Sequence, residues 1–156
     1  MTIQYLLPAD AKAALGGGSV DAWSTWDPYV SIAEVQHHLR PIVDGTGLPI
    51  TDGVIVSSSA SIAAKRALIE DFLARWARAQ AWALKHPEDY ARLYSTQTGL
   101  PVEVARSVIR HMNYRYVPID DAVIRDHQEV ADLYLAAAVI RQPVNVSVAF
   151  DRTLFK

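Results

Sequence analysis

The sequence changes character at Ser59, and this change limits the folds open to the chain more than any other feature. From there to His86, apolar residues recur at the helical period of 3.6, which predicts one long helix with an apolar stripe. The stripe comprises Ile62, Ile69, Phe72, Leu73 and Trp76. Further helices are predicted after Pro87, after Pro101 and over Asp120–Ile140. The chain is therefore predicted to be helix-rich after residue 58.

The first third of the chain consists of short segments interrupted by glycine and proline. Imperfect alternation of apolar and polar residues predicts short strands at residues 2–7, 20–26, 39–43 and 53–57. Short helices are predicted after Pro8 and from Tyr29, and the strictly alternating tail VNVSVAF predicts an edge strand. Strands buried on both faces need more neighbours than these few strands provide, so the pattern indicates an α/β piece of a larger fold.

Composition excludes several classes of protein. The chain has 156 residues, enough for one domain with a core, and a formal net charge of -2. A nearly neutral chain, with 15 basic and 17 acidic residues, favours neither a nucleic-acid partner nor an anionic membrane. The absence of cysteine excludes disulfides, zinc–thiolate sites and a cysteine nucleophile. We expect neither a signal peptide nor a membrane span, because no segment has the required charge and apolar length.

The stretch VDAWSTWDPY carries two tryptophans directly behind three glycines. In a strand, Trp26 points to the side opposite Trp23 and Asp27, and the residues before it on its own side are small. This leaves room for the Trp26 indole to project at the carboxyl end of the strand, where open α/β sheets bind ligands. The alternative, which composition alone favours, is that both tryptophans belong to the core.

No motif predicts catalysis, a metal site or a cofactor. His37 and His38 are adjacent and cannot readily bind one metal together, so we interpret them as helix-end or surface residues. No serine lies in a G-x-S-x-G elbow, although the parts of a Ser-His-Asp triad are present. GGGSV precedes a predicted strand, so it indicates a turn and not a dinucleotide cradle. The basic and aromatic segment RWARAQAWALK favours a solvated face or a partner contact over a nucleic-acid patch.

Three stretches together resemble one family of proteins. PADAKAALGGGSVDAWSTWDPYVSIAE, VDGTGL and DHQEVADLYLAAAVI are similar, in that order, to the C-terminal half of the aliphatic-sulfonate substrate-binding proteins. Those proteins are the receptors of ABC transporters that import sulfonates, and they are related to taurine and nitrate receptors. The similarity runs from about Ile3 to Val146, and the combination of motifs is specific.

The resemblance implies a type II periplasmic-binding-protein fold, in which two α/β lobes hold an anionic ligand in the cleft between them. Residues 1–24 would complete lobe two with a hinge strand, and residues 25–156 would form the C-terminal part of lobe one. Trp26 would pack on the alkyl part of the ligand, Asp27 would orient a cleft donor or meet an amine, and Trp23 would line the wall or the core. The resemblance also implies an alkanesulfonate or taurine-like anion, a transporter permease and the periplasm, with no catalysis and no cofactor.

The sequence also departs from the family pattern. It begins in the middle of that pattern, so we expect a separate N-terminal half or a second copy as a partner, and a large exposed apolar surface where neighbouring strands would pack. VIVSSSASIAAKRA stands where the family has an aromatic-containing strand and a short loop. Two alternatives stay open. One is an enzyme on the same architecture, such as a sulfinate desulfinase or a pyrimidine-synthesis enzyme, and the other is an interaction fragment without a ligand.

Overall fold

The computed structural model describes residues 2–45, 53–112 and 115–154. The helices within these ranges are α1 (Pro8–Gly16), α2 (Tyr29–His37), α3 (Ser59–Lys85), α4 (Pro87–Thr98), α5 (Val102–His111) and α6 (Asp121–Ala136), followed by a 3-10 helix at Val146–Ala149. Every helix that the sequence predicts is confirmed, with ends a few residues from those expected. In the described ranges, no helix has both the length and the apolar character needed to cross a membrane.

The strands that the sequence predicts are absent from the described residues. The segments at 2–7, 20–26, 39–43 and 53–57 form neither helix nor strand. A strand exists only where a neighbour exchanges backbone hydrogen bonds with it, and no described segment serves as that neighbour. The α/β class is therefore not confirmed in this part of the chain, which is helical.

The tail forms a 3-10 helix, and the edge strand predicted there is wrong. The side chain of Asn145 accepts hydrogen bonds from the backbone N of Ser147 at 3.1 Å and from its Oγ at 2.7 Å. This local bonding gives the backbone an alternative to a strand and overrides the alternating pattern. Of the turn predicted at residues 44–47, Thr46 and Gly47 lie outside the described residues.

The chain divides into two compact units. The first comprises Met1–Ile42 and Ala83–Tyr114, and the second comprises Val43–Trp82 and Arg115–Lys156. The division falls inside α3, directly after Trp82. The lobe boundary predicted between residues 24 and 25 concerns a complete two-lobe fold, and it stays a prediction.

The first unit has its core between α4 and α5. The buried side chains of this core are Ala91 from α4 and Ala105 and Ile109 from α5, and α5 also buries Val104 and Val108. The four α5 residues share one face because they are spaced at helical intervals. On the surface of the pair, the Arg106 guanidinium binds both carboxylate oxygens of Glu88 and joins α5 to α4. α2 also packs on α5, and its Ser31 is fully buried.

In the second unit, α6 packs against the 3-10 helix. α6 begins at a cap, because the Asp120 side chain accepts hydrogen bonds from the backbone N of Ala122 and of Val123, each at 2.9 Å. Further along, the His127 ring meets the Phe150 ring edge-on, with centroids 5.1 Å apart. The His127–Phe150 contact packs the tail on α6.

The long helix α3 carries the predicted apolar stripe without burying it. The backbone at Lys65 has φ -132° and ψ 27°, which kinks the helix in its second turn. None of the described α3 residues is buried, and Phe72 and Trp76 of the stripe are 48% and 43% exposed. On another face, Arg75 of the basic segment donates to Asp71 at 2.8 Å. The helix that the periodicity predicts is thus confirmed, although its apolar face is largely exposed.

Candidate functional site

The three predicted ligand residues lie in the first unit, directly before α2. The Trp26 ring meets the Tyr29 ring edge-on with centroids 5.9 Å apart, and the Trp23 ring is tilted against Tyr29 at 6.1 Å. Both separations are typical of favourable aromatic pairs. Trp23 is half-buried, whereas Trp26 is 64% exposed. Tyr29 therefore supports both indoles, and Trp26 presents most of its surface outward.

The backbone around Trp26 is tied to the start of α2. The Trp26 carbonyl accepts hydrogen bonds from the backbone N of Tyr29 at 2.9 Å and of Val30 at 3.3 Å. The peptide bond that follows, between Asp27 and Pro28, is cis. Trp26 therefore lies shortly before the first residue of α2, Tyr29, and its carbonyl is hydrogen-bonded to the first turn of that helix.

The Asp27 carboxylate uses both of its oxygens inside the protein. Its Oδ1 accepts from the backbone N of Ser31 at 3.0 Å and from the Ser31 Oγ at 2.7 Å. Its Oδ2 lies 2.7 Å from His111 Nδ1. Because the side chain is only 17% exposed, these bonds are partly shielded from water. Asp27 thus joins the start of α2 to the end of α5.

His111 stands between two carboxylates. Its Nδ1 faces Asp27, and its Nε2 lies 3.7 Å from Glu34 Oε2. The ring also occupies the last turn of α5, where the helix dipole favours a positive charge. Nearby on α4, burial raises the pKa of Tyr94, and Tyr90 and the Asp27 charge raise it further. The site therefore combines a negative cluster, one histidine and an aromatic platform.

Ser31, His111 and Asp27 are the residue types of a hydrolase triad, but their arrangement is different. A triad needs an accessible serine on one ring nitrogen and the acid on the other. Here Ser31 is fully buried and donates to Asp27, and its Oγ is 3.4 Å from Nδ1, the nitrogen that also faces Asp27. The three residues consequently form a structural link and offer no nucleophile.

Other kinds of site have less support. Among the described residues, no group of three His, Asp or Glu side chains is placed to hold a metal ion. In the second unit, an open groove of about 380 Å³ runs along α6, lined by Arg125, Gln128, Glu129, Asp132 and Leu133. Its two acids and one base give it no selectivity for an anion. The predicted surface histidines are placed as expected, with His37 at the end of α2 and His38 directly after it, both exposed.

Sequence reasoning missed the partners of Asp27. Ser31 follows Asp27 at the i,i+4 spacing, across a proline that opens a helix, and this local signal was sufficient to find the pair. His111 is 84 residues away from Asp27 and has no comparable signal in the sequence. Only the packing of α2 against α5 brings it to the site.

Comparison with known proteins identifies the relatives of the chain. No protein-family model matches the sequence. A protein of Escherichia coli is 33% identical over 143 residues, and one of Bacillus subtilis is 30% identical over 158 residues. Each is named as an aliphatic sulfonates-binding protein. The matches cover 91% and 100% of this chain but 45% and 47% of the relatives, so the chain spans about half the length of the curated relatives it matches.

Solved structures agree with the sequence matches. The periplasmic aliphatic sulphonate binding protein SsuA from Escherichia coli superposes with a TM-score of 0.81 at 31% identity, over 97% of this chain and 50% of that chain. The chain is homologous to the aliphatic sulfonate-binding proteins. The alkanesulfonate-binding protein SsuA from Xanthomonas axonopodis pv. citri, bound to MOPS, gives a TM-score of 0.80 at 29% identity, over 94% and 51% of the two chains.

These comparisons confirm the resemblance seen in the sequence. The match falls on the C-terminal half of the sulfonate-binding proteins, as the motifs indicated. By name, the relatives and structural neighbours are binding proteins and not enzymes.

Proposed function

We propose that this chain serves in the solute-binding protein of an ABC importer, which holds an aliphatic sulfonate in a cleft between two lobes without catalysis. The supporting observation is the superposition of 97% of the chain on half of SsuA, with a TM-score of 0.81 and 31% identity. The proposal includes the periplasm as compartment and a transporter permease as partner. It also includes the type II fold, with residues 1–24 completing lobe two and residues 25–156 returning to lobe one.

In the proposed site, Trp26 packs on the alkyl part of the sulfonate. An indole that is 64% exposed and supported by Tyr29 offers a fixed apolar surface, which suits an alkyl chain better than a charged head group. Trp23 lines the wall beside it. Asp27 orients the His111 ring, whose Nδ1 lies 2.7 Å from its Oδ2. The donors to the sulfonate group would come from the other lobe.

The test is a thermal-shift titration with taurine, short and longer alkanesulfonates, and sulfate. The chain is measured alone and after co-expression with the N-terminal half of the Escherichia coli relative. With both halves present, an alkanesulfonate at about 100 times its Kd should stabilise the complex by about 2.7 kcal/mol. An assembled complex that none of the sulfonates stabilises would contradict the proposal. A complex that sulfate stabilises as much as the alkanesulfonates do would also contradict it.

A variant pair locates the site. Trp26→Ala should weaken alkanesulfonate binding about 30-fold, because a central aromatic anchor contributes about 2 kcal/mol. Trp82→Ala, which truncates another exposed tryptophan, should leave the affinity within about threefold. Equal losses in the two variants would remove Trp26 from the proposed site.

We also propose that the open apolar surface of the chain is covered by a polypeptide corresponding to the rest of the SsuA fold. Large apolar side chains are exposed in the described segments that form neither helix nor strand. In the unpaired segments, Tyr5 is 94% exposed and Val56 is 83% exposed. Such apolar side chains are typical of segments that pair with a further strand.

Light scattering distinguishes the possible partners without any ligand. A 1:1 complex with the co-expressed N-terminal half supports this proposal. A dimer of the chain that excludes that half would favour a second copy, and it would move the interaction-fragment alternative ahead of the receptor. A monomer that binds neither the half nor a hydrophobic dye would refute the idea of an uncovered surface.

A further inference from the structure

Residues 150–153, which begin directly after the 3-10 helix, contact two different helices of the second unit. Two of the four residues contact α6. The Phe150 ring meets the His127 ring edge-on, with centroids 5.1 Å apart. The Arg152 guanidinium donates a hydrogen bond to the Asp121 carboxylate in the first turn of α6. The first and third residues of this segment therefore hold it on α6.

The second and fourth residues of the segment contact α3 through Arg66. The Arg66 guanidinium donates to the Thr153 Oγ1 at 3.1 Å and makes a longer contact of 3.5 Å with the Thr153 carbonyl oxygen. It also lies 3.9 Å from the Asp151 Oδ2. The Asp151 Oδ1 in turn accepts hydrogen bonds from the backbone N of Thr153 at 2.8 Å and from its Oγ1 at 2.6 Å. This local bonding keeps both acceptors of Arg66 together, so that one short segment reaches both helices.

Arg66 lies on the face of α3 that turns towards this segment. Ile69 and Leu73 stand on the same side, three and seven positions further along, and are half-buried. By the period of 3.6 residues, Leu68 and Phe72 point to a different side, and they are 65% and 48% exposed. In the described part of the chain, α3 buries no residue completely and no extensive packing joins it to α6. The segment therefore supplies a connection between the two helices that their own packing does not.

We propose that residues 150–153 act as a strap, which fastens α3 to α6 and fixes the side of α3 that the second unit leaves open. The strap has Arg66 as its anchor on α3, and it has the Phe150 and Arg152 contacts as its anchors on α6. Single exposed ion pairs contribute little, but these contacts share four consecutive residues and are ordered together. Because the anchors on the two helices act in series, the strap holds α3 only while both ends are attached. The proposal concerns the second unit alone and does not rest on the proposed function.

The test is hydrogen–deuterium exchange of the full chain, without ligand, measured in peptides that cover residues 60–78 of α3. Arg66→Gln removes the anchor on α3 and should speed amide exchange there about fivefold, which corresponds to about 1 kcal/mol. Arg75→Gln is the matched control. Each of the two variants removes one i,i+4 ion pair within α3, but only Arg66 also bonds to the strap. The control should change exchange by less than about twofold. Equal effects of the two variants would overturn the proposal.

A second variant attacks the strap from its other end. Phe150→Ala removes a ring contact on α6 and should speed exchange in α3 about threefold, although Arg152 keeps its own contact. Combined with Arg66→Gln, it should add nothing in α3, because one open end already releases the strap. Exchange in α3 that ignores Phe150→Ala, or two effects that multiply, would overturn the proposal.

Peptides from α4, which belongs to the first unit, report whether a variant loses stability as a whole. We expect their exchange to stay within about twofold of the unsubstituted chain in all variants. Equal acceleration in α3 and α4 would show global unfolding in place of strap release, and it would also count against the proposal. Since no ligand or partner is present, these outcomes are independent of whether the chain binds a sulfonate.

Discussion

Replacing Asp27 by alanine should destabilise the first unit more than any other single carboxylate truncation in its first 42 residues. The change removes two hydrogen bonds from Ser31 and the contact with His111. It also leaves the Ser31 hydroxyl, which is fully buried, without its carboxylate acceptor. Within the described residues, the other polar contact of that hydroxyl is with His111 Nδ1 at 3.4 Å, which is longer and weaker.

The magnitude follows from these three contacts. Losing a bond that caps the backbone of a first helical turn costs about 1 kcal/mol. Stranding a buried hydroxyl that donated to a charged acceptor costs about 1.5 kcal/mol. The His111 contact adds at most about 0.5 kcal/mol, because that ring is 39% exposed and the pair is screened. We therefore expect Asp27→Ala to lower the free energy of unfolding by about 3 kcal/mol.

The assay is urea unfolding at pH 7, followed by far-UV circular dichroism, with an unchanged m-value required for the comparison. Asp21→Ala is the matched control, since Asp21 is an exposed acid six residues earlier in the same segment. It should change stability by less than about 0.5 kcal/mol. In a double-mutant cycle, Asp27→Ala and Ser31→Ala should be non-additive by about 1 kcal/mol. Additive effects, or an Asp27 loss no larger than the Asp21 loss, would refute the assigned bonding.

Two further predictions concern the burial of α5 and its ion pair with α4. Val108→Ala, at a fully buried position, should cost about 2 kcal/mol in the same unfolding assay, whereas Val148→Ala, 84% exposed, should cost less than about 0.5 kcal/mol. The hydrogen bond from Arg106 lowers the pKa of Glu88 below its ordinary value of 4.5. The lowered pKa means that this pair stabilises the folded chain fully above pH 4.5 and loses its effect as pH falls through the lowered value. Glu88→Gln should therefore reduce the fall in Tm measured between pH 5 and 2.5, and an unchanged fall would contradict the assignment.

The helices could be predicted because their signals are local. Proline stands at the first position of α1 and of α4, where its missing N–H is tolerated. α4 ends at Thr98 and is followed by Gly99, whose φ of 74° suits a residue without a side chain. The apolar period of α3 also predicted a helix correctly, although its stripe is largely exposed. Each of these signals needs only residues within a few turns of one another.

The strands could not be established in the same way, because a strand depends on a second segment. Alternation of apolar and polar residues at 2–7 and 53–57 indicates which side chains would face a core and which would face water. It does not supply the neighbouring segment with which the backbone must form hydrogen bonds. At VNVSVAF, one hydrogen-bonding side chain at Asn145 was enough to replace the extended backbone by a 3-10 helix. The larger fold was predicted from the resemblance to a family. That resemblance rests on motifs such as VDAWSTWDPY and not on periodicity.

The candidate site shows the same division between local and distant information. The sequence singled out Trp26 by its place in a predicted strand and Asp27 through the family resemblance, but it left the role of the Asp27 carboxylate open between orienting a cleft donor and meeting a ligand amine. That choice depends on His111, which packing alone brings to Asp27. Since His111 ends α5, the helix that also carries Val104 and Val108, the turn that presents Trp26 is anchored to the best-buried helix of its unit. We therefore expect Val108→Ala also to broaden the NMR signal of the Trp26 indole, and an unperturbed signal would mean that the turn keeps its geometry without α5.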